Sequence, residues 1–377
     1  MDLALSEMQE MLKTTARDFL EKECPKSYVR EMEVDEKGYK PELWEKIAGL
    51  GWLGLPFPEE YGGSDGSFLD LTVLLEEMGR ACFPGPFFST VVLSGLLVLD
   101  AANKQQKSDL LPKISSGELI LALALTEPSN TYEPSGITLR AIPEGDGFVL
   151  DGTKLFVSDA HIADYIITVA RTKEAATKED GISLFLVDAK SPGLEATLLK
   201  TIGGDKQCEV IFDKVKVGRD SIIGELDGGW PVIKRALERA AIGKCAEMVG
   251  GGQQVMEMVV AYAKERQQFG RPIGSFQAIQ FHCTNMLTDV DISRYLTYEA
   301  AWKLSEGLPH KIELAIAKAG VGDCYHRVVV TGHQVISGVG YIEDHDMHLY
   351  FNRAKAAELL FGSADFYREK LAQELGL

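Results

Sequence analysis

What this sequence lacks removes whole classes of function. It has six cysteines (Cys24, Cys82, Cys208, Cys245, Cys283 and Cys324) but no CxxC pair. Nor do its cysteines and seven histidines show the spacing that holds zinc, so no metal site is expected. Scattered in this way, the cysteines read as reduced, mostly buried thiols in a reducing compartment. Long apolar runs are missing too. The most apolar stretch, Phe87 to Leu99, is well short of the roughly 20 residues a spanning helix needs, so no membrane insertion is expected. The first residues, MDLALSEMQEMLKTTARDF, carry acids and neither a signal-peptide nor an Arg-rich transit pattern, which points to the cytoplasm. Basic charge is also scarce. With 39 Lys and Arg against 56 Asp and Glu, the net charge of -17 argues against a general nucleic-acid or anionic-membrane binder. A local basic pocket for a phosphorylated ligand stays compatible with that balance.

What remains is an ordinary globular composition, 45% hydrophobic and 25% charged, over 377 residues, enough for more than one core. Ser6 and Gln9 form a capping box ahead of an apolar face of Met8, Met11, Leu12, Thr15, Phe19 and Leu20, which predicts a first helix. Glu42 to Leu50, ending at Gly51, and Leu69 to Ala81 predict two more. The middle changes character. Asp151-Gly152 lies between two apolar runs and reads as a hairpin turn. Tyr165 to Ala170, Ile182 to Val187 and Glu209 to Val217 are strand candidates. From Trp230 the helical period returns, with long helices over Val232–Lys264, Phe276–Glu306, His310–Ile336 and Leu349–Glu374, the pattern of a four-helix bundle. The expected fold is α+β and mainly α. An N-terminal helical domain (1–120) precedes a middle antiparallel β-barrel or sandwich (121–222) and a C-terminal four-helix bundle (223–377).

Four segments carry more than fold. They are Leu125-Thr126-Glu127-Pro128; Asp151-Gly-Thr-Lys-Leu-Phe156-Val-Ser158; Ala263 to Gly274, containing Glu265-Arg266-Gln-Gln-Phe269-Gly270, followed by Phe276-Gln277-Ala278; and His333-Gln334-Val-Ile-Ser-Gly338-Val-Gly340-Tyr341. In this order and at these separations the chain resembles the acyl-CoA dehydrogenases over nearly its whole length. The resemblance implies FAD, an acyl-CoA substrate oxidised between its α and β carbons, and electrons passed to an electron-transferring flavoprotein. It also implies a homotetramer, or a heterotetramer with a related subunit. By the same resemblance Thr126 and Ser158 meet the flavin edge and Phe156 lies against the ring. Arg266 and Phe269 meet the pyrophosphate and adenine side across a dimer contact, where an arginine fork suits a diphosphate. Gln277, Gln334 and Gly338 match further cofactor contacts.

The sequence departs from the family pattern twice. Where many members have a glycine-rich loop after Thr-Glu-Pro, this chain reads Ser129-Asn-Thr-Tyr132-Glu-Pro-Ser-Gly136, and bulky Tyr132 opposes close backbone approach. Many members carry the catalytic glutamate near the C-terminus in Tyr-Glu-Gly-Thr. Here the segment is Leu360-Phe361-Gly362-Ser363, and phenylalanine cannot accept a proton. The long helix from Ala236 offers Glu247 and Glu238 instead. Nine residues apart, they lie about 180° from each other around the helix. Glu247 is favoured as the base, with an ion pair to Lys244 as its competing role, and Glu238 is the reserve. Two alternatives stay open: an FAD-binding or structural subunit without its own base, and a flavin oxidase or monooxygenase of the same fold. The changed pocket could suit a branched, cyclic or otherwise unusual acyl group. Glu343-Asp344-His345-Asp346 is read as caps and salt bridges, and Lys311 to Lys318 as a solvated helix face.

Overall fold

The computed structural model describes residues 4–377, so the first three residues of the segment read for leader signals lie outside it. The capping box forms as predicted. Gln9 N–H donates to Ser6 Oγ at 3.2 Å and Ser6 N–H to Gln9 Oε1 at 3.0 Å, opening α1 (Glu7–Glu23). There follow α2 (Lys26–Val34), α3 (Pro41–Gly49) and α4 (Phe68–Ala81). A second capping box, Ser67 with Asp70, starts α4. The apolar run near Phe87 folds as a π-helical stretch, Phe88–Gly95, that continues into α5 (Leu96–Ala101); α6 (Lys104–Ser115) closes the region. Residues 89–98 are buried without a break, which is why no amphipathic period marks the run.

The middle region holds β1 (Leu121–Ala124), β2 (Arg140–Glu144), β3 (Gly147–Ser158), β4 (Tyr165–Arg171), β5 (Ile182–Asp188), β6 (Leu194–Leu199), β7 (Gln207–Gly218) and β8 (Ile222–Ile223). They run in the order β6-β7-β3-β2-β4-β5-β8 with β1 on β4, a sheet that does not close into a barrel. Most pairings are antiparallel, but β1·β4 and β2·β4 are parallel. The hairpin expected at Asp151-Gly152 is not there. β3 runs straight through, and the register against β7 shifts between Leu150 and Gly152, so the Asp-Gly pair marks a bulge. Gly152 takes φ +144°, which an L side chain rarely adopts. The turn itself is Gly145-Asp146, between the paired Glu144 and Gly147.

Helix α7 (Trp230–Glu265) starts the bundle. A two-strand ribbon follows, β9 (Gln267–Gln268) with β10 (Arg271–Pro272), then α8 (Gln277–Ser305) and α9 (Lys311–Ile336). The fourth predicted helix is two: α10 (Met347–Leu359) and α11 (Ala364–Glu374). The chain breaks at Phe361 and Gly362, both at positive φ (+60° and +109°), where a right-handed helix cannot continue. The reading of Lys311–Lys318 as a solvated face holds at the exposed Lys311 and Ile316 but fails at Lys318. Lys318 is fully buried, as are Leu314, Ala315 and Ala317. Its ammonium donates to the carbonyls of Glu358 (3.0 Å) and Gly362 (2.8 Å), which α10 leaves open at its end. The acidic turn behaves as expected, with Arg30 bonding Asp346 at 2.8 Å.

Helices from both ends of the chain share one core, and the sheet encloses a second. Their closest seam is α4 on α7. A Cβ at Gly79 would stand 2.1 Å from the Glu247 carbonyl oxygen, and one at Gly250 would stand 1.8 Å from that of Glu76. Backbone lies against backbone there.

Candidate active site

Thr126 follows β1 directly, and Leu155 of β3 donates its N–H to the Thr126 carbonyl at 2.8 Å. This link places Thr126 beside the residue before Phe156, with Ser158 two residues further along β3. Phe156 is unusual for its type: 45% exposed, with φ +57°. A flat aromatic face left uncovered beside two hydroxyls is what a planar ring with a polar edge requires. Thr126 and Phe156 are held from behind by a pair that sequence reasoning passed over. Lys154 and Glu127 form a fully buried ion pair at 2.7 Å. Glu127 also accepts from the N–H groups of Thr138 (2.9 Å) and Leu139 (3.0 Å), and Lys154 donates to the Leu125 carbonyl at 3.0 Å. Burial presses the Lys154 ammonium down to about 8, partly opposed by Glu127. The carboxyl of Glu127 is held below its usual range by Lys154 and these donors, against its own burial. Both residues lay inside quoted motifs, but charge alone reads as solvated.

Arg266, Phe269, Gln277, Gln334 and Gly338 gather elsewhere. Helix α8 runs antiparallel to its neighbours: Gly252 faces Val290 on α7 and α8, and Gly332 of α9 faces Val255 and Val259 of α7. The end of α7, the start of α8 and the end of α9 therefore share one end of the bundle. All five residues are exposed there, Phe269 at 91%. No hydrogen bond or ring contact among the described residues joins them to the Thr126 group. Beside Gln334, His333 is buried with both ring nitrogens unpartnered and stacks on Tyr341 at 4.5 Å.

The break in the last helix places Phe361 in an aromatic cluster. Its ring stacks on Phe88 at 5.6 Å and lies 6.1 Å from Tyr132. Burial pushes the Tyr132 hydroxyl up, against hydrogen bonding from the Phe361 backbone and Thr126. On the far side of Phe88, Lys244 Nζ stands 4.2 Å over the ring.

Two cavities lie near this cluster, one lined by Tyr132 and Phe361 themselves, the other by their neighbours Leu360 and Lys244. The outer one is lined by Tyr132, Phe361, Trp230, Tyr367 and Glu238. Glu238 meets His310 Nε2 at 3.3 Å, and this contact raises the affinity of His310 for its proton. The inner one is lined by Met78, Phe83, Lys244 and Glu247, and along α10 its lining runs from Leu360 back through Ala356 to Arg353, with Asp205 also on its wall. Glu247 is partly exposed into it and bonds Lys244 at 2.5 Å. Opposite faces of α7 thus give the two glutamates separate cavities. Among the described residues no group of three His, Cys, Asp or Glu is placed to hold a metal ion.

Comparison with known proteins places this geometry. Family models described as the N-terminal, middle and C-terminal domains of acyl-CoA dehydrogenase match residues 6–118, 122–215 and 227–376. The chain belongs to the acyl-CoA dehydrogenase family. It is 31% identical over 381 residues to a probable acyl-CoA dehydrogenase, YngJ, of Bacillus subtilis, covering 100% of each. It is 32% identical to a 3-(aryl)acrylate reductase of Clostridium sporogenes, over 98% of this chain and 99% of that one. The solved butyryl-CoA dehydrogenase of Megasphaera elsdenii superposes with a TM-score of 0.93 at 28% identity, over 100% of both chains. The acyl-CoA dehydrogenases are oxidoreductases, and the architecture seen here, helices, then a sheet, then a helical bundle, is theirs. None of the described helices is long and apolar enough to cross a membrane.

Proposed function

We propose that this acyl-CoA dehydrogenase family member binds FAD and dehydrogenates an acyl-CoA between its α and β carbons. When bound, the flavin supplies the hydride acceptor. The observation that carries the reading is the uncovered Phe156 ring beside Thr126 and Ser158, with a carboxylate-lined cavity on the bundle side. Thr126 and Ser158 would hold the polar edge of the ring system, and Phe156 would meet its apolar face. Arg266, Phe269, Gln277, Gln334 and Gly338 would serve a second copy's cofactor from the bundle end, in a tetramer of identical or related subunits. Their exposure on a single chain fits that assignment. An electron-transferring flavoprotein is the proposed electron acceptor.

Glu247 is the proposed base. It presents a carboxylate to the inner cavity, one wall of which is Leu360, next to Phe361. Lys244 bonds that carboxylate at 2.5 Å, and Phe83 and Met78 line the cavity beside it. An α-proton of a thioester then has a carboxylate oxygen to receive it. Glu238 is the second reading, and one observation favours it: it shares a cavity with Phe361 and Tyr132. The test is anaerobic bleaching of the flavin by a panel of acyl-CoAs. Glu247→Gln is expected to slow bleaching by at least about 100-fold, the usual scale of a general base, while Glu238→Gln stays within about threefold. The reverse ranking would transfer the role to Glu238. Bound flavin that no thioester bleaches would favour a subunit without its own base, and rapid turnover on oxygen alone would favour an oxidase.

A further inference from the structure

The inner cavity is polar where an alkyl chain would end. Glu247 and Lys244 satisfy each other at its middle. Beyond them Asp205 and Arg353 close it, and neither is fully used. Asp205 Oδ2 accepts from Gln207 at 2.5 Å, but Oδ1 is buried without a partner. Arg353 reaches Glu33 only at 3.8 Å, and its Nε–H is likewise buried and unpartnered. A buried donor or acceptor left unmade is costly, so native interiors rarely keep one without a purpose.

The spare capacity is one acceptor and one donor on a site with balanced charge. A carboxylate tail would face Asp205 and Glu247. An ammonium tail would face Arg353 and Lys244. A methyl end would leave Oδ1 and Nε–H unpaired. A hydroxyl both donates and accepts without charge, and so matches both.

Resting on Glu247 as the group that meets the α-carbon, we propose that this enzyme takes acyl-CoA substrates bearing a hydroxyl on the distal part of the acyl group, held between Asp205 and Arg353. The two residues determine specificity and take no part in proton removal. The acyl group enters past the Phe88–Phe361 stack, runs along α7 and ends at the loop before β7 and the middle of α10.

The test uses the FAD-loaded protein, anaerobically, with butanoyl-, hexanoyl- and octanoyl-CoA and their terminally hydroxylated counterparts. Equilibrium dialysis reads binding whether or not reaction occurs, and flavin absorbance in parallel reads dehydrogenation. At one length or more the hydroxylated thioester is expected to bind about tenfold more tightly. Asp205→Ala should abolish that preference. Asp205→Asn, which keeps an acceptor and the side-chain volume, should retain most of it and guards against a folding defect. Equal or tighter binding of the plain thioester at every length overturns the inference, and if plain thioesters bleach the flavin the dehydrogenase reading stands. A hydroxyl preference without bleaching supports the inference and sinks the proposed activity. A preference indifferent to Asp205→Ala overturns the assignment, and failure of every thioester to bind overturns both.

Discussion

Replacing Gly250 by alanine tests the seam on which the inner cavity depends. The added methyl would sit 1.8 Å from the Glu76 carbonyl oxygen and 2.7 Å from Arg80 N, and both are backbone atoms that cannot rotate aside. Ordinary contact requires α4 and α7 to separate by about 1.5 Å. Helix α4 is not free to retreat. The Glu76 carboxylate is buried and tied to Arg294 (3.1 Å), Lys13 (3.4 Å) and the Tyr298 hydroxyl (2.8 Å). Overpacking of this kind costs about 1–3 kcal/mol, and straining a charge-assisted hydrogen bond adds about 1.5–3. Removing a helical glycine returns about 1 kcal/mol. The net expectation is a loss of about 3 kcal/mol. Gly252, two residues on, is the control, because a methyl there meets its nearest atoms at 3.4 and 3.6 Å. Gly252→Ala should therefore be neutral, or more stable by up to about 1 kcal/mol. Denaturant unfolding of both variants, followed by intrinsic fluorescence, separates the cases. A Gly250→Ala protein as stable as Gly252→Ala would refute the backbone-contact account.

Three further outcomes follow from the same geometry. Lys154→Met leaves the Glu127 carboxylate buried and uncompensated, so unfolding free energy should fall by about 3–5 kcal/mol; a loss under 1 kcal/mol would mean that Glu127 is already neutral. Asp159, buried with a hydrogen bond from Ser89 Oγ at 2.6 Å, has its carboxyl pushed up to about 7 by burial. The folded state therefore holds a proton that the unfolded chain releases, and this group's contribution falls as pH rises from about 4 to about 7. Asp159→Asn should gain on wild type across that window, by at most about 4 kcal/mol above pH 7, read as melting temperature against pH; a constant difference would count against it. Lys318→Met should loosen the turn at Phe361, seen as faster amide exchange at residues 360–363, with exchange in α7 unchanged.

Local rules made the ends of the elements readable. Ser6 with Gln9 set the start of α1, and β-branched runs located β4, β5 and β7. Asp151-Gly152 misled because the φ freedom that permits a turn also permits a bulge, and only the partner strand β7 decides between them. Lys318 misled because a lone lysine between apolar residues looks solvated until the open carbonyls of α10 are seen above it. The same limit hid Glu127 with Lys154, whose partnership spans two segments. At the site, the periodicity of α7 showed that Glu238 and Glu247 face apart, but the cavities they face are walled by residues from other segments, such as Tyr132 and Met78, neither of which has a local signal. Asp205 and Arg353 were out of reach for the same reason: one is on a loop before β7, the other on α10.

The bare seam between α4 and α7 also limits how this protein could change. At its two crossing points main chain meets main chain and there is no side chain to exchange, so variation that reshapes the inner cavity without parting α4 from α7 is easiest on the opposite rim. That rim is the loop carrying Gly203 and Asp205 and the face of α10 carrying Arg353 and Ala356. Relatives with different acyl preferences would then differ there while keeping glycine at both crossing points. A library confined to the rim should retune selectivity with little loss of folded protein, whereas one spread over the seam should mostly yield chains that fail to assemble.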